Sequence, residues 1–459
     1  MPEARALRPA TLYGWGNADR VRGWRWSPAS AEELAAGLAD AANEPRLTRG
    51  AIPRGMGRSY GDAAQRWGGV AIDTTRLTRI HIDPASGRAE VGAGVVLGDL
   101  MAAAAPLGWL VPVVPGTQFV SVGGAIASDI HGKNHGSVGT FGQHVRELTL
   151  ALASGELRRL GSEDPLFGAT LGGMGLTGVV VSATLQLSAG PPLVSVDTDR
   201  VEGLEATLEA LRADGGPHRV AWLDLLSRRG PRAVVTRARV LGAEEAAALT
   251  DPPRRGTATV PVRLRVPPVV PSGVLRPEFI AAANAARFRR SPRRARDEVM
   301  GFAAHMFPLD GLAAWPRLYG PAGFLQYQIA VPPAQSAVME RVLGILGDAR
   351  VPVYLAVLKD FGPATVGADL SFPIEGWTLA LDLPRRHPGL PAALDRCDEL
   401  VASSGGRVYL TKDSRMRPDT VAAMYPHLAR WRALRDGADP DGLWASDLAL
   451  RTGLVEAAG

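Results

Sequence analysis

The chain of 459 residues has a single cysteine, Cys397, and no long apolar run. One cysteine excludes an intrachain disulfide framework and a cysteine-cluster metal site. No stretch of about 18 uncharged apolar residues occurs, so we predict no membrane-spanning helix. Residues 1–30 also lack the apolar segment of a signal peptide. We therefore expect a cytoplasmic protein, or one that meets a membrane only at its surface.

Lysine is scarce as well, with only Lys133, Lys359 and Lys412 among 51 basic residues. The formal net charge of +5 is small and dispersed, which argues against nucleic-acid binding. The eight histidines show no metal-ligand spacing, so we predict no metal site. The length favours two domains.

The most informative segment runs from Val111 to Val145 and contains seven glycines. Glycine is costly to order, and chains use it where backbone must approach a ligand or adopt positive φ. Such a segment is typical of a wall of backbone N–H groups placed against a flat anionic ligand. The alternative is a set of tight turns in an ordinary β-domain.

Two further glycine clusters favour the ligand interpretation. Residues Arg54 to Asp62 read RGMGRSYGD after a short apolar strand, and residues Leu171 to Gly178 read LGGMGLTG before another strand. Successive N–H groups in such a turn form a concavity for a pyrophosphate. Neither cluster is a Walker loop or a Rossmann fingerprint. Three clusters within 180 residues predict one extended ligand.

Together these motifs resemble the vanillyl-alcohol-oxidase (PCMH-type) family of FAD-binding proteins. C-terminal motifs, among them FLQYQ, LKDFGP, SFPI and TKDSR, resemble the members of this family that oxidise the 2′-hydroxyl of a polyprenylphosphoryl ribose. The resemblance implies an α+β fold with an antiparallel-sheet substrate domain. We expect an FAD-binding domain at 1–190, a substrate-binding domain at 191–390, and a segment 391–459 that returns to the first.

Local patterns predict several elements. Ser30 caps a helix from Ala31 to about Ala42, with Glu33 completing a capping box. Residues Thr177 to Leu187 predict a pair of strands, and two short helices are expected at the end of the chain. Cys397 is expected to be packed in a helix.

The resemblance implies FAD as cofactor. In many relatives a histidine just before the serine of the first motif binds the flavin covalently, but Arg58 stands there, so we predict non-covalent FAD. The predicted cofactor-binding residues are Arg54, Gly55, Met56, Gly57, Arg58, Ser59, Tyr60, Gly116, Thr117, Val122, Gly123, Gly124, Ala127, Ser128, Ile130, His131, Gly132, Asn134, His135, Gly178, Val179, Tyr409 and Lys412.

Three residues are candidates for catalysis: His131, Lys412 and Tyr60. A histidine facing the flavin can orient a substrate hydroxyl or relay its proton near neutral pH, and the alternative is a buried structural histidine. Lys412 could stabilise negative charge near the flavin, or could pair with Asp413 or Asp447 at the surface.

Substrate contacts are predicted at four further positions. Gln326 and Gln328 lie two apart in an extended segment, so both amides share one face and suit sugar hydroxyls; the alternative is an exposed polar strand face. Lys359 could meet a substrate phosphate or be a solvated strand end, and Trp222 could line the pocket or the core. Where mycobacterial relatives carry a cysteine beside the flavin, this chain has Ala380.

The segment Arg287 to Arg296 contains six arginines within ten residues. It is expected to be a solvated helix face or a flexible loop, or else a mobile cover over the active site that docks on anionic lipid headgroups or on a polyprenyl phosphate. By resemblance, the substrate is a lipid-linked phosphoribose and a separate NADH-dependent short-chain reductase is a partner. Alternatives are an oxidase of free sugars or alditols that releases hydrogen peroxide, and a flavin-binding protein without catalysis.

Overall fold

The computed structural model describes residues 6–17, 19–253, 257–271, 275–365 and 367–456. Its strands are β1 (Arg8–Leu12), β2 (Val21–Trp26), β3 (Ala51–Arg54), β4 (Val70–Asp73), β5 (Ile80–Ile82), β6 (Arg88–Gly92), β7 (Trp109–Leu110), β8 (Val145–Ala151), β9 (Leu157–Gly161), β10 (Val179–Gln186), β11 (Ser188–Ala189), β12 (Leu193–Glu202), β13 (His218–Asp224), β14 (Arg232–Val240), β15 (Leu264–Arg265), β16 (Arg294–Gly301), β17 (Leu312–Ala313), β18 (Phe324–Val331), β19 (Leu355–Phe361), β20 (Gly376–Pro384) and β21 (Arg407–Val408).

The α-helices are α1 (Ala31–Ala39), α2 (Leu97–Ala104), α3 (Val122–Ala127), α4 (His135–Val138), α5 (Pro165–Thr170), α6 (Leu204–Arg212), α7 (Ala243–Ala247), α8 (Pro277–Arg290), α9 (Phe302–Met306), α10 (Ala337–Asp348), α11 (Leu390–Ser403), α12 (Pro418–Met424), α13 (Leu428–Ala438) and α14 (Asp447–Arg451). This mixture of helices and largely antiparallel sheet confirms the predicted α+β class.

Two sheets form the N-terminal part of the molecule. One has the order β1-β2-β4-β3, in which β4 runs parallel to both β2 and β3. The other has the order β5-β6-β10-β8-β9 and is antiparallel throughout. The first glycine-rich loop follows β3 of the first sheet, and the second precedes β8 of the other.

An eight-stranded antiparallel sheet, ordered β16-β12-β14-β13-β19-β20-β18-β21, dominates the rest of the chain. Its central strands alternate side chains between two faces. One face packs on helices such as α6 and α10, which bury Leu208, Leu211 and Val342. The opposite face of strands β13, β19, β20 and β18 is left to form a cavity against the N-terminal loops.

The C-terminal segment contacts both parts of the molecule. Strand β21 pairs with β18 through Ile329 and Val408 and so completes the eight-stranded sheet. Further along, Trp444 forms a parallel bridge with Ala51 of the first sheet. Residues 391–456 therefore contact both parts of the molecule, and the predicted domains with boundaries at 190 and 390 stay a prediction.

Several local predictions need correction. Ser30 does cap α1 by accepting from the Glu33 N–H at 3.2 Å, but the Glu33 carboxylate accepts from Ala29 rather than from Ser30. The helix ends at Ala39, and residues 41–43 form a separate 3₁₀ turn rather than a continuation of it.

The predicted strand pair over 177–187 is wrong, because β10 is one strand whose two edges pair with β6 and β8. The described residues after β21 form three helices, α12 to α14, rather than two. Cys397 is fully buried in α11, as predicted.

The arginine-rich segment is divided between two elements and is not one helix face. Arg287 lies near the end of α8, whereas Arg294 begins β16. Arg296 pairs with Asp199 at 2.9 Å and with Asp197 at 3.6 Å. None of the helices within the described ranges combines the length and apolarity needed to cross a bilayer.

Candidate active site

A cavity of about 520 Å³ lies between the glycine-rich loops and the free face of the eight-stranded sheet. This volume falls within the range of small-molecule and cofactor sites, about 300–1,000 Å³. One side, which we call the glycine wall, consists of the loops 53–61 and 115–132. The other side, which we call the polar face, consists of Gln326, Gln328, Lys359 and Lys412.

The first loop of the glycine wall is packed closely against the second. A Cβ at Gly55 would lie 2.0 Å from the Ser121 hydroxyl oxygen, so only glycine permits this approach. Gly57 adopts φ +60°, a conformation that favours glycine. Arg54 is held by its guanidinium, which donates to the carbonyl oxygens of Ala64 at 2.7 Å and Tyr13 at 2.8 Å. The loop is thus fixed by both backbone and side chain.

The second loop turns into α3, whose N-cap is Ser121 accepting from the Gly124 N–H at 3.3 Å. The turn after α3 is held by Asp129, a fully buried carboxylate that accepts from the Gly142 N–H at 2.9 Å. His131 follows directly and forms an isolated bridge with Thr140. The imidazole is therefore placed at the cavity by a rigid turn.

The glycine wall fits FAD in its chemistry. Gly116 has no heavy atom within 4 Å of its Cβ direction, so this part of the wall is bare backbone. The half-buried Arg58 guanidinium stacks 4.1 Å from the centroid of Trp15, and its Nε is buried without a partner among the described residues. The free donor and positive charge of Arg58, beside exposed backbone N–H groups, suit the pyrophosphate of FAD. The bare backbone suits its flat flavin ring.

His131 is the centre of the polar contacts. Its ring is 7% exposed and lies 4.8 Å from Phe361 and 5.6 Å from Tyr409, measured between ring centroids. Its Nε2 lies 3.0 Å from the Gln328 amide nitrogen, and its Nδ1 lies 2.9 Å from Lys359 Nζ. Burial holds the pKa of His131 well below its ordinary value, so the ring is neutral.

The hydrogen-bond pattern defines which ring nitrogen carries the proton. The Thr378 hydroxyl donates to the Ile329 carbonyl at 2.8 Å, so it accepts from the Gln328 amide at 3.0 Å. With the amide oriented in this way, His131 Nε2 accepts from Gln328 and Nδ1 carries the proton that faces Lys359. Lys359 then presents an uncharged amine, in agreement with a pKa lowered to about 7 by burial and by the charges of Lys412 and Lys133.

A second chain of contacts surrounds Lys412. Its Nζ donates to the Gln326 side-chain oxygen and lies 4.2 Å from the centroid of the Tyr60 ring. The Gln326 amide donates to the Asp382 carboxylate at 2.6 Å. Burial lowers the pKa of Lys412 to about 8 while Asp382 opposes the change, and burial raises the pKa of Asp382 to about 6. At neutral pH the pair keeps opposite charges, with the ammonium directed at the cavity.

The structure brings most of the predicted site residues to one cavity. The residues that line it are Arg54, Gly55, Met56, Gly57, Arg58, Ser59, Tyr60, Gly116, Thr117, Gly123, Gly124, Ala127, Ser128, Ile130, His131, Gly132, Gly178, Trp222, Gln326, Gln328, Lys359, Tyr409 and Lys412. Their individual roles stay predictions. The surface alternative for Lys412 is wrong, because Asp413 pairs with Arg451 at 2.9 Å and Asp447 lies 3.6 Å from Arg66.

Four predicted cofactor residues do not line the cavity. Val122 is fully buried in the core on α3, and Val179 is buried in β10 beside β8. The Asn134 amide donates to the Pro112 carbonyl at 2.8 Å, and His135 Nδ1 accepts from the Gly362 N–H at 3.0 Å. These side chains hold loops in place.

Sequence reasoning missed other lining residues, notably Lys133, His305 and Asp310, and it predicted Arg287 only as part of a cover over the site. The sequence did contain a signal for Lys133, namely the scarcity of lysine. The chain has only three lysines, and all three line this cavity. His305 and Asp310 carried none, since their neighbours in sequence are unrelated to any glycine cluster. Ala380 also lines the cavity, opposite Gln328 in the pairing of β18 and β20.

Among the described residues, no group of three or more histidine, cysteine or acidic side chains could hold a metal ion. The prediction that the protein uses no metal stays a prediction.

Comparison with known proteins agrees with this site. Residues 26–161 match the FAD binding domain family. The chain is 38% identical to decaprenylphosphoryl-beta-D-ribose oxidase of Mycolicibacterium smegmatis over 97% of each chain. It is 39% identical to an uncharacterized protein of Streptomyces coelicolor over 76% of this chain and 97% of that one.

A more limited match is with alditol oxidase of a Streptomyces species, at 30% identity over 35% of this chain and 37% of the relative. The chain thus shares sequence with the decaprenylphosphoryl-beta-D-ribose oxidase along nearly its whole length. It has both an FAD-binding domain and a cavity in which lysine, histidine and amide groups converge. The chain belongs to the decaprenylphosphoryl-β-D-ribose oxidase family of FAD-dependent oxidoreductases.

Proposed function

We propose that this protein oxidises the 2′-hydroxyl of a polyprenylphosphoryl-β-D-ribose to the 2′-keto sugar. The observation that carries the proposal is the convergence of His131, Lys359 and Lys412 in one cavity of a chain 38% identical to an oxidase named for that substrate. Alcohol oxidation needs a hydride acceptor beside a group that takes the hydroxyl proton. The polar face provides the second of these.

FAD, when bound, accepts the hydride from the sugar C2–H. We assign the hydroxyl proton to the amine of Lys359, whose lone pair turns from the His131 Nδ1–H, 2.9 Å away, to the substrate hydroxyl. The C2–H bond and the O–H bond break, the electron pair leaves with the hydride, and the carbonyl forms. A buried lysine with a pKa of about 7 has the uncharged amine needed to accept a proton at neutral pH.

The other polar groups orient the sugar. Gln328 and Gln326 offer amide groups to the remaining hydroxyls, although each is also held by a protein partner. The Lys412 ammonium, packed over Tyr60, stabilises negative charge that develops near the reacting carbon. In this proposal Tyr60 shapes the site and keeps its proton, because burial and Asp382 raise the pKa of Tyr60.

The proposed partners follow from the product. A separate NADH-dependent short-chain reductase would deliver hydride to the opposite face of the ketone, which gives the arabinose lipid used for cell-wall arabinan. Membrane contact is proposed for the exposed arginines 289, 290, 293 and 294, because Arg296 is already paired with Asp199. Substitution of these four by glutamine should weaken binding to anionic liposomes, and unchanged binding would contradict the contact.

The test of the proposed function is anaerobic bleaching of the flavin absorbance near 450 nm, about where any oxidised flavin absorbs. Bleaching by a polyprenylphosphoryl ribose, but not by free ribose or xylitol, is the expected result. Bleaching by free alditols alone would move the protein to the alditol oxidases. A flavin that no sugar reduces would indicate a binding protein without catalysis.

The same preparation tests how FAD is held. Acid precipitation should release the flavin into the supernatant, because Arg58 cannot form a histidyl–flavin bond. Yellow colour retained in the pellet would contradict non-covalent binding.

A further inference from the structure

Three basic side chains from separate parts of the chain line one region of the cavity. Lys133 comes from the loop after α3, Arg287 from the last turn of α8 and His305 from α9. Arg287 is exposed, so the cavity reaches solvent here. None of the three belongs to the contacts of the His131 and Lys412 clusters.

These groups are held in defined positions. Lys133 Nζ donates to the carbonyl oxygen of His305, and the carbonyl oxygen of Lys133 accepts from the Arg219 N–H at 2.7 Å. The Arg287 guanidinium stacks 4.8 Å from the centroid of the Trp222 ring. The loop, the sheet and α8 thus bring two cations to the same wall before any ligand is present.

Two carboxylates near this wall are engaged by other cations. Nearby, Asp224 pairs with Arg232 at 2.7 Å, and Asp360 lies 3.9 Å from Arg219. Within the described parts of the chain, neither Lys133 nor Arg287 has an ion-pair partner. Burial and the charge of Arg287 lower the pKa of Lys133 to about 7, so an anion bound between them would restore its charge.

A second observation points to a ligand at this wall. His305 is only 7% exposed, yet its Nε2 has no hydrogen-bond partner among the described residues. Buried polar atoms are normally paired, and an unpaired one invites an explanation such as a missing ligand. A neutral imidazole can donate one N–H to an anionic oxygen.

We propose that Lys133, Arg287 and His305 form an anion subsite that binds the phosphate of a prenyl phosphate ligand. The identification of the ligand rests on the proposed function. Next to the subsite, Trp222 packs with Val234 and Phe288 in an apolar cluster, which suits the first isoprene units. Lys359, the earlier candidate for the phosphate, is instead engaged with His131.

The experiment measures binding to the FAD-loaded enzyme by calorimetry, with farnesyl phosphate and farnesol as probes. The wild type should bind farnesyl phosphate at least about tenfold more tightly than farnesol, since charge-assisted hydrogen bonds distinguish the two. Arg287→Met and Lys133→Met should each reduce this preference by about tenfold. Arg341→Met, which changes an exposed arginine of α10 outside the cavity lining, should leave it unchanged.

Equal binding of the two probes by the wild type, or an unchanged preference in Arg287→Met, would overturn the subsite. The Arg287 side chain is exposed, so this variant should fold even if Lys133→Met does not.

Failure of the subsite and failure of the proposed function give different results. If farnesyl phosphate binding depends on Arg287 but polyprenylphosphoryl ribose does not bleach the flavin, the reaction is overturned and the subsite stands. If the lipid bleaches the flavin with a KM that Arg287→Met does not change, the subsite is overturned and the reaction stands.

Discussion

The two sides of the cavity are built on different principles. The glycine wall offers backbone: Gly55 and Gly57 leave room where any side chain would collide, and Gly116 presents no side chain at all. The polar face offers side chains, whose pKa values burial has shifted, as in Lys359 and Lys412. The comparison shows that the wall acts through shape and the face through charge and proton position.

This difference extends to how each side is encoded. The glycine wall comes from two continuous stretches, each of which carries its own conformational constraints. The polar face is assembled from distant positions; Gln326 and Lys412, for example, lie 86 residues apart. A change in the wall should therefore damage cofactor binding and folding, whereas a change in the face should damage the reaction and leave the cofactor in place.

The largest effect is expected for Gly61→Ala in the glycine wall. A Cβ at this position would lie 1.9 Å from the Asp413 carbonyl oxygen, which is backbone and cannot move aside. We expect a loss of about 3 kcal/mol in the free energy of unfolding and little FAD in the purified protein. Chemical denaturation and the flavin-to-protein absorbance ratio measure the two effects.

Gly347→Ala is the matched control, because no heavy atom lies within 4 Å of its Cβ direction on α10. It should be neutral or slightly stabilising. Normal FAD content and stability in Gly61→Ala would show that the wall tolerates side chains and would contradict the claim that it acts through shape.

The next largest effect is expected for Lys412→Met on the polar face. Removal of the ammonium beside Gln326 and Tyr60 should slow anaerobic flavin reduction about 10²- to 10³-fold, as for a lost electrostatic stabiliser. FAD content should stay near that of the wild type. Stopped-flow absorbance measures the rate.

Lys412→Arg serves as the comparison, since arginine keeps the charge but not the compact ammonium. It should recover only part of the rate. A Lys412→Met enzyme within threefold of the wild type, or one that loses its FAD, would contradict the division between wall and face.

A pH dependence should separate Lys359 from Lys412. The proposed proton acceptor is the uncharged amine of Lys359, and its pKa is lowered to about 7. The rate of flavin reduction should therefore rise about tenfold per pH unit below pH 7, and it should fall again above about pH 8, where Lys412 loses its charge. In Lys359→Met the rise below pH 7 should disappear together with most of the rate. An unchanged rise in rate below pH 7 in the variant would assign the titration to another group.

The smallest effect is expected for Thr378→Val, behind the polar face. Its hydroxyl accepts from the Gln328 amide at 3.0 Å, so the change frees the amide that orients His131. We expect the lost hydrogen bond to cost about 1 kcal/mol. The result should be roughly a fivefold slower flavin reduction at unchanged FAD content. A rate equal to that of the wild type would mean that Gln328 needs no such support.

Much of the glycine wall could be predicted because positive φ and close backbone approach leave a mark in the local sequence. The exceptions, Val122, Asn134, His135 and Val179, lie in or beside glycine-rich segments but point into the core or hold a turn. Sequence motifs locate a loop, whereas the direction of each side chain depends on what packs behind it.

The polar face was predicted in part, and for a different reason. Gln326 and Gln328 share a strand face through the two-residue period of a β-strand, a local rule. That Lys359 meets His131, and that Asp382 supports Gln326, follows only from strand pairing and from the packing of the sheet on the loops. The arginine-rich segment was wrongly predicted as a single element, because its composition did not reveal the boundary between α8 and β16.

By itself, then, the amino-acid sequence determined the α+β class, the single buried cysteine, the loops that approach a cofactor and the scarcity of lysine. Only the tertiary structure decided that all three lysines line one cavity, that Lys359 faces His131 and that Lys133 lies beside His305. The physical reason is range: backbone conformation is governed by neighbouring residues, whereas the charge and protonation of a side chain depend on groups that folding brings from far along the chain.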